Sequence, residues 1–316
     1  MDLSPQIVRW LTSLRMNKQN GEPRPHKPVL LLAVLELAET GRLGDNEVHF
    51  GPTLFETFAE YWKAVTGEPV GKSQYPFWSM DSEPFWTLVM QPHFEHKPLS
   101  KSITPSAKQV GEWVRFAQLD ASLFAALGDE TARDRIRGIL VATYFPERAG
   151  QIADIRAFEQ SVYRYTQIIH RVHAPGFTYQ ITPGFVRDAA FRRVVTEAYG
   201  YTCAVSRDRL TLAAGGGTYQ LVQAAHIRDW ADSHDDSPQN GLSLSANYHW
   251  LFERGLFTVD ENWRVRVSPV ARDCIGTVES LLTRPHRQRI RLPDDETLWP
   301  GQDYLDWHRT TKYLDE

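Results

Sequence analysis

The chain is 316 residues long, 42% apolar and 23% charged, and its 35 Lys and Arg against 39 Asp and Glu leave a formal net charge of −4. This length allows two domains with separate cores, and the composition is that of an ordinary globular protein, which excludes the disordered classes. A net acidic chain does not advertise a nucleic-acid binder, which more often shows a basic footprint, so the distribution of charge matters more than its sum.

The first residues, MDLSPQIVRWLTSLRMNKQNGEP, lack the basic start and continuous apolar core of a signal peptide, and no apolar run approaches the roughly 20 residues of a membrane span. The expectation is a cytoplasmic protein with no membrane partner. In HKPVLLLAVLELAETGRLG, Leu31, Val34, Leu35 and Ala38 recur at helical spacing, Pro28 suits a first turn and Gly41 a C-terminal stop. Phe55, Phe58, Trp62 and Val65 form a second apolar stripe. YPFWSMDSEPFWTLVM, with Pro76, Pro84 and an Asp81-Ser82 turn, predicts a short hairpin with proline at its margins. Helical patterns follow around Val110 to Leu127 and Thr131 to Tyr144, and FPERAGQIAD marks a domain boundary. The expected organisation is a first domain over 1–150, a connecting segment over 151–185 and a second domain over 186–316.

In GFVRDAAFRRVVTEAYG, Val186, Ala190, Phe191, Val194 and Ala198 share one helical face, with Gly200 as the cap. The period then changes. TYQLVQAAHI reads as a strand, RDWADSHDDSPQ as a polar loop, GLSLS as a second strand, and ANYHWLFERG as a helix opened by Ser245 and closed by Gly255. LFTVDENWRVRVS reads as a hairpin around Asp260-Glu261-Asn262. Between Ser161 and Leu212, Arg164, Arg171, Arg187, Arg192, Arg193, Arg207 and Arg209 face only Asp188, Glu197 and Asp208, a distribution that suits a solvated helical surface and a DNA-backbone contact equally. Only Cys203 and Cys274 occur, in no Cys-x-x-Cys pair, so neither a disulfide framework nor a four-cysteine zinc site is encoded, and a catalytic metal would be held by nitrogen and oxygen.

Three residues of the second half belong together by spacing. His226 ends the first strand, Asn240 follows fourteen positions on, and His249 nine further, on the helix. A phosphodiester is anionic and resists neutral water, so its hydrolysis needs a base to make the nucleophile and a cation to absorb charge. His226, as an imidazole, can take a proton from water. His249 can offer an imidazole nitrogen to a divalent ion, and Asn240 can hold the returning loop closed and help fix His226. Taken singly they read as a hydrogen-bonded strand-end histidine, an Asn-Gly turn and a half-buried helix histidine. Together, in strand, strand, helix order, they favour catalysis.

CAVS, AAHI and NGLSLSANYHWLFERGLFTVD resemble the HNH endonuclease family, in its McrA-like restriction branch, over roughly Ala190 to Ser268. The resemblance implies a C-terminal ββα-metal (HNH) domain. It makes His226 the general base, Asn240 the middle asparagine of the motif and His249 the ligand of a divalent metal of the Mg or Mn class. Many such sites place an acidic ligand immediately before the base, where this chain has Ala225; Gln223, on the same strand face, is the candidate second contact.

In the first half, Phe77, Trp78, Phe85 and Trp86 are most simply core residues and His26-Lys27 the start of a helix. RPHKPVLLL followed by YPFWSM is also similar to the sulfur-binding domain joined to HNH modules in enzymes that act on phosphorothioated DNA, over Ser4 to Tyr144. That similarity implies that His26, Lys27, Tyr75, Pro76 and Ser79 line a pocket for the modified phosphate, with Ser79 polar where the family commonly has a small apolar residue. Sulfur is larger, more polarisable and a poorer hydrogen-bond acceptor than the oxygen it replaces. An apolar cup would therefore favour it by about 1–3 kcal/mol, while Lys27 or His26 holds the charge.

The expected fold is α+β, with a mainly helical N-terminal domain bearing a small hairpin and the HNH domain after it. The expected function is a type IV-like restriction endonuclease whose partner is double-stranded DNA carrying phosphorothioate. A double-strand break needs two cuts, which a homodimer would supply. The rivals are an HNH nuclease that reads a methylated base and a DNA-binding protein whose HNH module is inactive, which Ala225 keeps open.

Overall fold

A computed structural model describes residues 2–19, 22–68, 74–94, 105–171, 182–209, 211–214, 217–273 and 278–315. The chain divides into two compact units, one of residues 1–160 with 212–219 and one of 161–211 with 220–316. Among the described residues no helix is long and apolar enough to cross a membrane.

The first unit runs α1 (Pro5–Thr12), β1 (Lys18–Gln19), β2 (Glu22–Pro23), α2 (His26–Glu39), α3 (Pro52–Thr66), α4 (Gln74–Ser79), β3 (Trp86–Met90), α5 (Ala107–Trp113), β4 (Val114–Leu119), α6 (Ala121–Leu127) and α7 (Glu130–Tyr144). Ser4, Ser106, Asp120 and Asp129 cap α1, α5, α6 and α7 by accepting backbone N–H groups of the first turn. The sequence suggests an apolar stripe on α2, but the structure buries it all round, from Lys27 to Leu37. A helix surrounded by other elements has no solvent face to give its polar residues, so each needs an internal partner. Glu36 accepts from the Tyr61 hydroxyl at 2.6 Å and lies 3.7 Å from Arg137. Burial nonetheless holds its carboxyl above the usual range.

Two expectations for this unit are corrected. YPFWS is the helix α4 and not a hairpin arm, and the strand after it, β3, pairs antiparallel with β4, more than twenty residues downstream. The supposed helix over Val110 to Leu127 is α5, β4 and α6 in succession, because Val114 to Leu119 pairs with β3 as a strand instead. The small hairpin of the unit is β1 with β2. FPERAGQIAD leads into a continuous helix, α8 (Ala149–Arg171), inside which the division between the units falls.

The second unit continues with α9 (Gly184–Ala198), β5 (Thr211–Ala214), β6 (Gly217–Gln220), β7 (Val222–His226), α10 (Trp230–Ser233), β8 (Gly241–Ser245), α11 (Ala246–Glu253), β9 (Phe257–Val259), β10 (Val265–Val267), α12 (Val278–Thr283) and α13 (Gln302–Thr311), with β5 and β6, whose residues 212–219 group with the first unit, paired together. TYQLVQAAHI is therefore two strands broken at Leu221, of which β7 pairs antiparallel with β8, setting His226 opposite Gly241. The expected α9 face is buried at Val186, Ala190, Phe191 and Val194, and β9 and β10 form the expected hairpin. Gly241 has strand dihedrals and is no hairpin turn. A Cβ there would lie 2.4 Å from Val195 Cγ2, so only glycine lets β8 pass this close to α9.

Candidate active site and DNA-recognition surface

The expected triplet of His226, Asn240 and His249 is carried by β7, the start of β8 and α11. CAVS docks against β8, with the Ala204 N–H donating to Ser243 O at 2.7 Å and the Ser245 N–H donating to the buried Cys203 Sγ at 3.4 Å, which seats the start of α11. Cys274 lies outside the described residues. Asn240 is fully buried and clamps the loop on both sides of the strand end. Its Nδ2 donates to Arg228 O at 3.0 Å and Asp235 O at 2.9 Å, its Oδ1 accepts from Arg228 N at 2.8 Å, and its carbonyl accepts from Ile227 N at 2.9 Å. These bonds fix the backbone immediately after His226.

His226 is half-buried and its ring lies flat on Phe191 of α9, with centroids 3.7 Å apart and planes within 6°. Its Nε2 is 3.0 Å from Oδ1 of Asp236, whose other oxygen accepts from the Tyr165 hydroxyl at 2.7 Å and lies 3.3 Å from Arg187 Nη1. Asp236 is 1% exposed. Sequence reading missed it because RDWADSHDDSPQ has the composition of a solvated loop. In fact Asp235, Asp236 and Ser237 are buried, and Asp235 accepts from the Ser237 N–H at 2.8 Å and from the Tyr304 hydroxyl. Arg187 likewise turns inward, stacked 3.7 Å over Trp230, whereas Arg164, Arg192, Arg207 and Arg209 are exposed.

Ala225 is in the core of this unit, so an acidic side chain there would be buried. Gln223 is the strand residue that meets His249. Its Oε1 is 2.9 Å from His249 Nδ1, while Glu253, one turn on along α11, places Oε1 3.2 Å from Nε2. A neutral imidazole has one N–H for these two oxygens. An imidazolium or a bound cation satisfies what a neutral ring leaves facing a lone pair. Among the described residues no cluster of three His, Cys, Asp or Glu side chains is poised for a metal, but imidazole nitrogen, amide oxygen and carboxylate oxygen together form a donor set that suits a divalent ion.

In the first unit the five expected residues divide. His26, in the first turn of α2, faces Trp62 of α3 at 4.5 Å and Tyr75 of α4 edge-on at 6.0 Å. Burial, reinforced by the charge of Arg24, pushes its pKa down to about 4, so the ring is neutral at pH 7. Pro76 is buried, and Ser79, one turn on, donates its hydroxyl to Pro76 O at 3.2 Å. Lys27 is placed elsewhere than expected. It is 3% exposed, donates to Ser82 Oγ at 2.7 Å and pairs with the buried Glu83, so its charge is neutralised inside the unit. The cation beside His26 is instead the half-buried Arg24, which sequence reading did not single out. Its guanidinium lies 5.5 Å from the Trp62 ring and 2.7 Å from Glu68. Arg24 Nε and His26 Nδ1 are buried and have no hydrogen-bond partner among the described residues.

Residues 4–152 match the model of the ScoMcrA-like DNA sulfur-binding domain, and residues 203–260 match the HNH endonuclease model HNH_2. No curated protein matches the chain. Among solved structures it is similar to a "Modification dependent TagI restriction endonuclease", at 19% identity and a TM-score of 0.30, over 46% of this chain and 44% of that one. The chain thus spans less than half the length of that neighbour. By its family match, the segment 203–260 is an HNH endonuclease domain. Before it, residues 4–152 match a DNA sulfur-binding domain, so the chain joins a sulfur-binding domain to an HNH endonuclease domain.

Proposed function

We propose that this chain binds double-stranded DNA at a phosphorothioate through its first domain, assigned to 1–150, and hydrolyses phosphodiesters with its second, assigned to 186–316. The observation that carries the catalytic half is the antiparallel β7–β8 pair, which ends in a ring-stacked, carboxylate-bonded His226 while delivering Gln223 to His249 of α11. In this reading His226 is the general base, taking a proton from the water whose oxygen attacks phosphorus, and Asn240 holds the loop that orients it. His249, with Gln223 and Glu253 oxygens, would hold a divalent ion of the Mg or Mn class. Such an ion stabilises charge on the phosphate and the leaving oxygen.

On the recognition side, His26, Tyr75, Pro76 and Ser79 form the sulfur-facing surface. A neutral imidazole beside an aromatic ring and a proline offers little to a hydrated oxygen and a good environment to a polarisable sulfur. Arg24 supplies the phosphate-directed charge that Lys27, already paired with Glu83, does not. Exposed Arg164, Arg192 and Arg209 would add backbone contacts and a salt dependence of binding. The test is cleavage of a singly phosphorothioated duplex with magnesium or manganese. Wild type is expected to cut, and His226→Ala to bind with unchanged affinity and cut about 10²–10⁴-fold more slowly. Undiminished cutting by His226→Ala removes the base assignment, and binding without cutting by wild type under both metals returns the chain to a DNA-binding role.

A further inference from the structure

We propose that Asp236 is the positioning residue of the nuclease site, holding the proton of His226 on Nε2 so that the lone pair of Nδ1 is the one offered to water. This rests on the reading of His226 as the base. An ionised carboxylate can only accept, so Oδ1 of Asp236, 3.0 Å from Nε2, selects the tautomer with hydrogen there. Its Oδ2 is occupied by the Tyr165 hydroxyl at 2.7 Å and the Arg187 guanidinium at 3.3 Å, and Arg187 is itself pinned over Trp230 at 3.7 Å. The carboxylate therefore has no room to rotate without giving up two donors. Phe191 fixes the ring plane, and the Asn240 clamp fixes the backbone beneath it. A carboxylate present only to balance Arg187 would need one oxygen; here the other is committed to the imidazole. In the reaction one proton passes from water to Nδ1, the oxygen of that water bonds to phosphorus and the leaving oxygen departs. The resulting imidazolium stays paired with Asp236, which remains ionised throughout.

The experiment uses the full chain in two measurements. Nitrogen-15 NMR of His226 in the metal-free wild type is expected to show the Nε2–H tautomer; an Nδ1–H tautomer overturns the proposal without any variant. Asp236→Asn turns an amide N–H toward Nε2 and forces the proton to Nδ1. It is expected to lower kcat for the phosphorothioated duplex about 10²–10⁴-fold while KM and duplex affinity stay within a few-fold. Wild-type cleavage by Asp236→Asn alongside an inactive His226→Ala overturns the positioning role alone. Wild-type cleavage by His226→Ala overturns the base reading, and the role of Asp236 with it.

Discussion

His26 and His226 are the same residue in contrasting settings. His26 sits among Trp62, Tyr75 and Arg24, with its Nδ1 buried and unpartnered and its pKa pushed down to about 4, so it lines a surface as a neutral, weakly hydrated ring. His226 is stacked more closely, flat on Phe191, and one nitrogen meets a buried carboxylate. The carboxylates differ in the same sense. Glu83 takes up Lys27 completely and leaves nothing for a ligand, whereas Asp236 divides its two oxygens between Arg187 with Tyr165 and the imidazole. A buried charge pair can close a region off or prepare a group for chemistry, and the hydrogen-bond partner decides which.

The sharpest way to break this contrast is at Lys27. If its charge serves only Glu83, Lys27→Met alone leaves a buried carboxylate unpaired and should lower unfolding stability by about 3–5 kcal/mol. The double variant Lys27→Met, Glu83→Gln should recover most of that loss in denaturant titrations and bind phosphorothioated duplex like wild type. A folded double variant that has lost the duplex would place Lys27 on the DNA after all. Next in size is Asn240→Ala, which strands the Arg228 and Asp235 backbone groups and should lower stability by about 2–3 kcal/mol, with cleavage falling further than duplex binding.

A further expected effect is in pH dependence. His26, and His308 bonded to Thr258 and Phe252 O, both have folded pKa values pushed down to about 4 chiefly by burial. Between their unfolded value of about 6.5 and that value the unfolded chain binds more protons. Stability is therefore fully present above pH 6.5 and is lost as pH falls toward 4. Melting temperature should fall by several degrees over that window, less steeply in His26→Gln and His308→Gln, and duplex binding should show no step near pH 6.5 as long as His26 stays neutral. A level melting profile would contradict the buried, neutral assignment.

What the sequence made legible was local. The spacing of His226, Asn240 and His249 fell in or beside elements with clear periods, and the structure ends β7 at His226, starts β8 after Asn240 and carries His249 on α11, although Ser245 makes no side-chain cap bond. Partners from distant segments were hidden. The pairing of β3 with β4 spans an insertion no short-range pattern records, and Glu83 reaches Lys27 across 56 positions. Asp236 was obscured because an acidic residue in a polar run looks solvated until Tyr165, Arg187 and His226 converge on it. Arg24 was passed over for Lys27 because sequence shows which residues are cationic and not which are buried.

The central claim is that one atom of the DNA backbone decides binding. It is tested most directly by equilibrium titration of the metal-free wild-type chain with two duplex pools of matched flanking sequences, identical but for one non-bridging oxygen replaced by sulfur. The account predicts tighter binding of the sulfur pool by about 5–150-fold, the ratio that 1–3 kcal/mol of discrimination gives. Equal affinity for the two pools would contradict it.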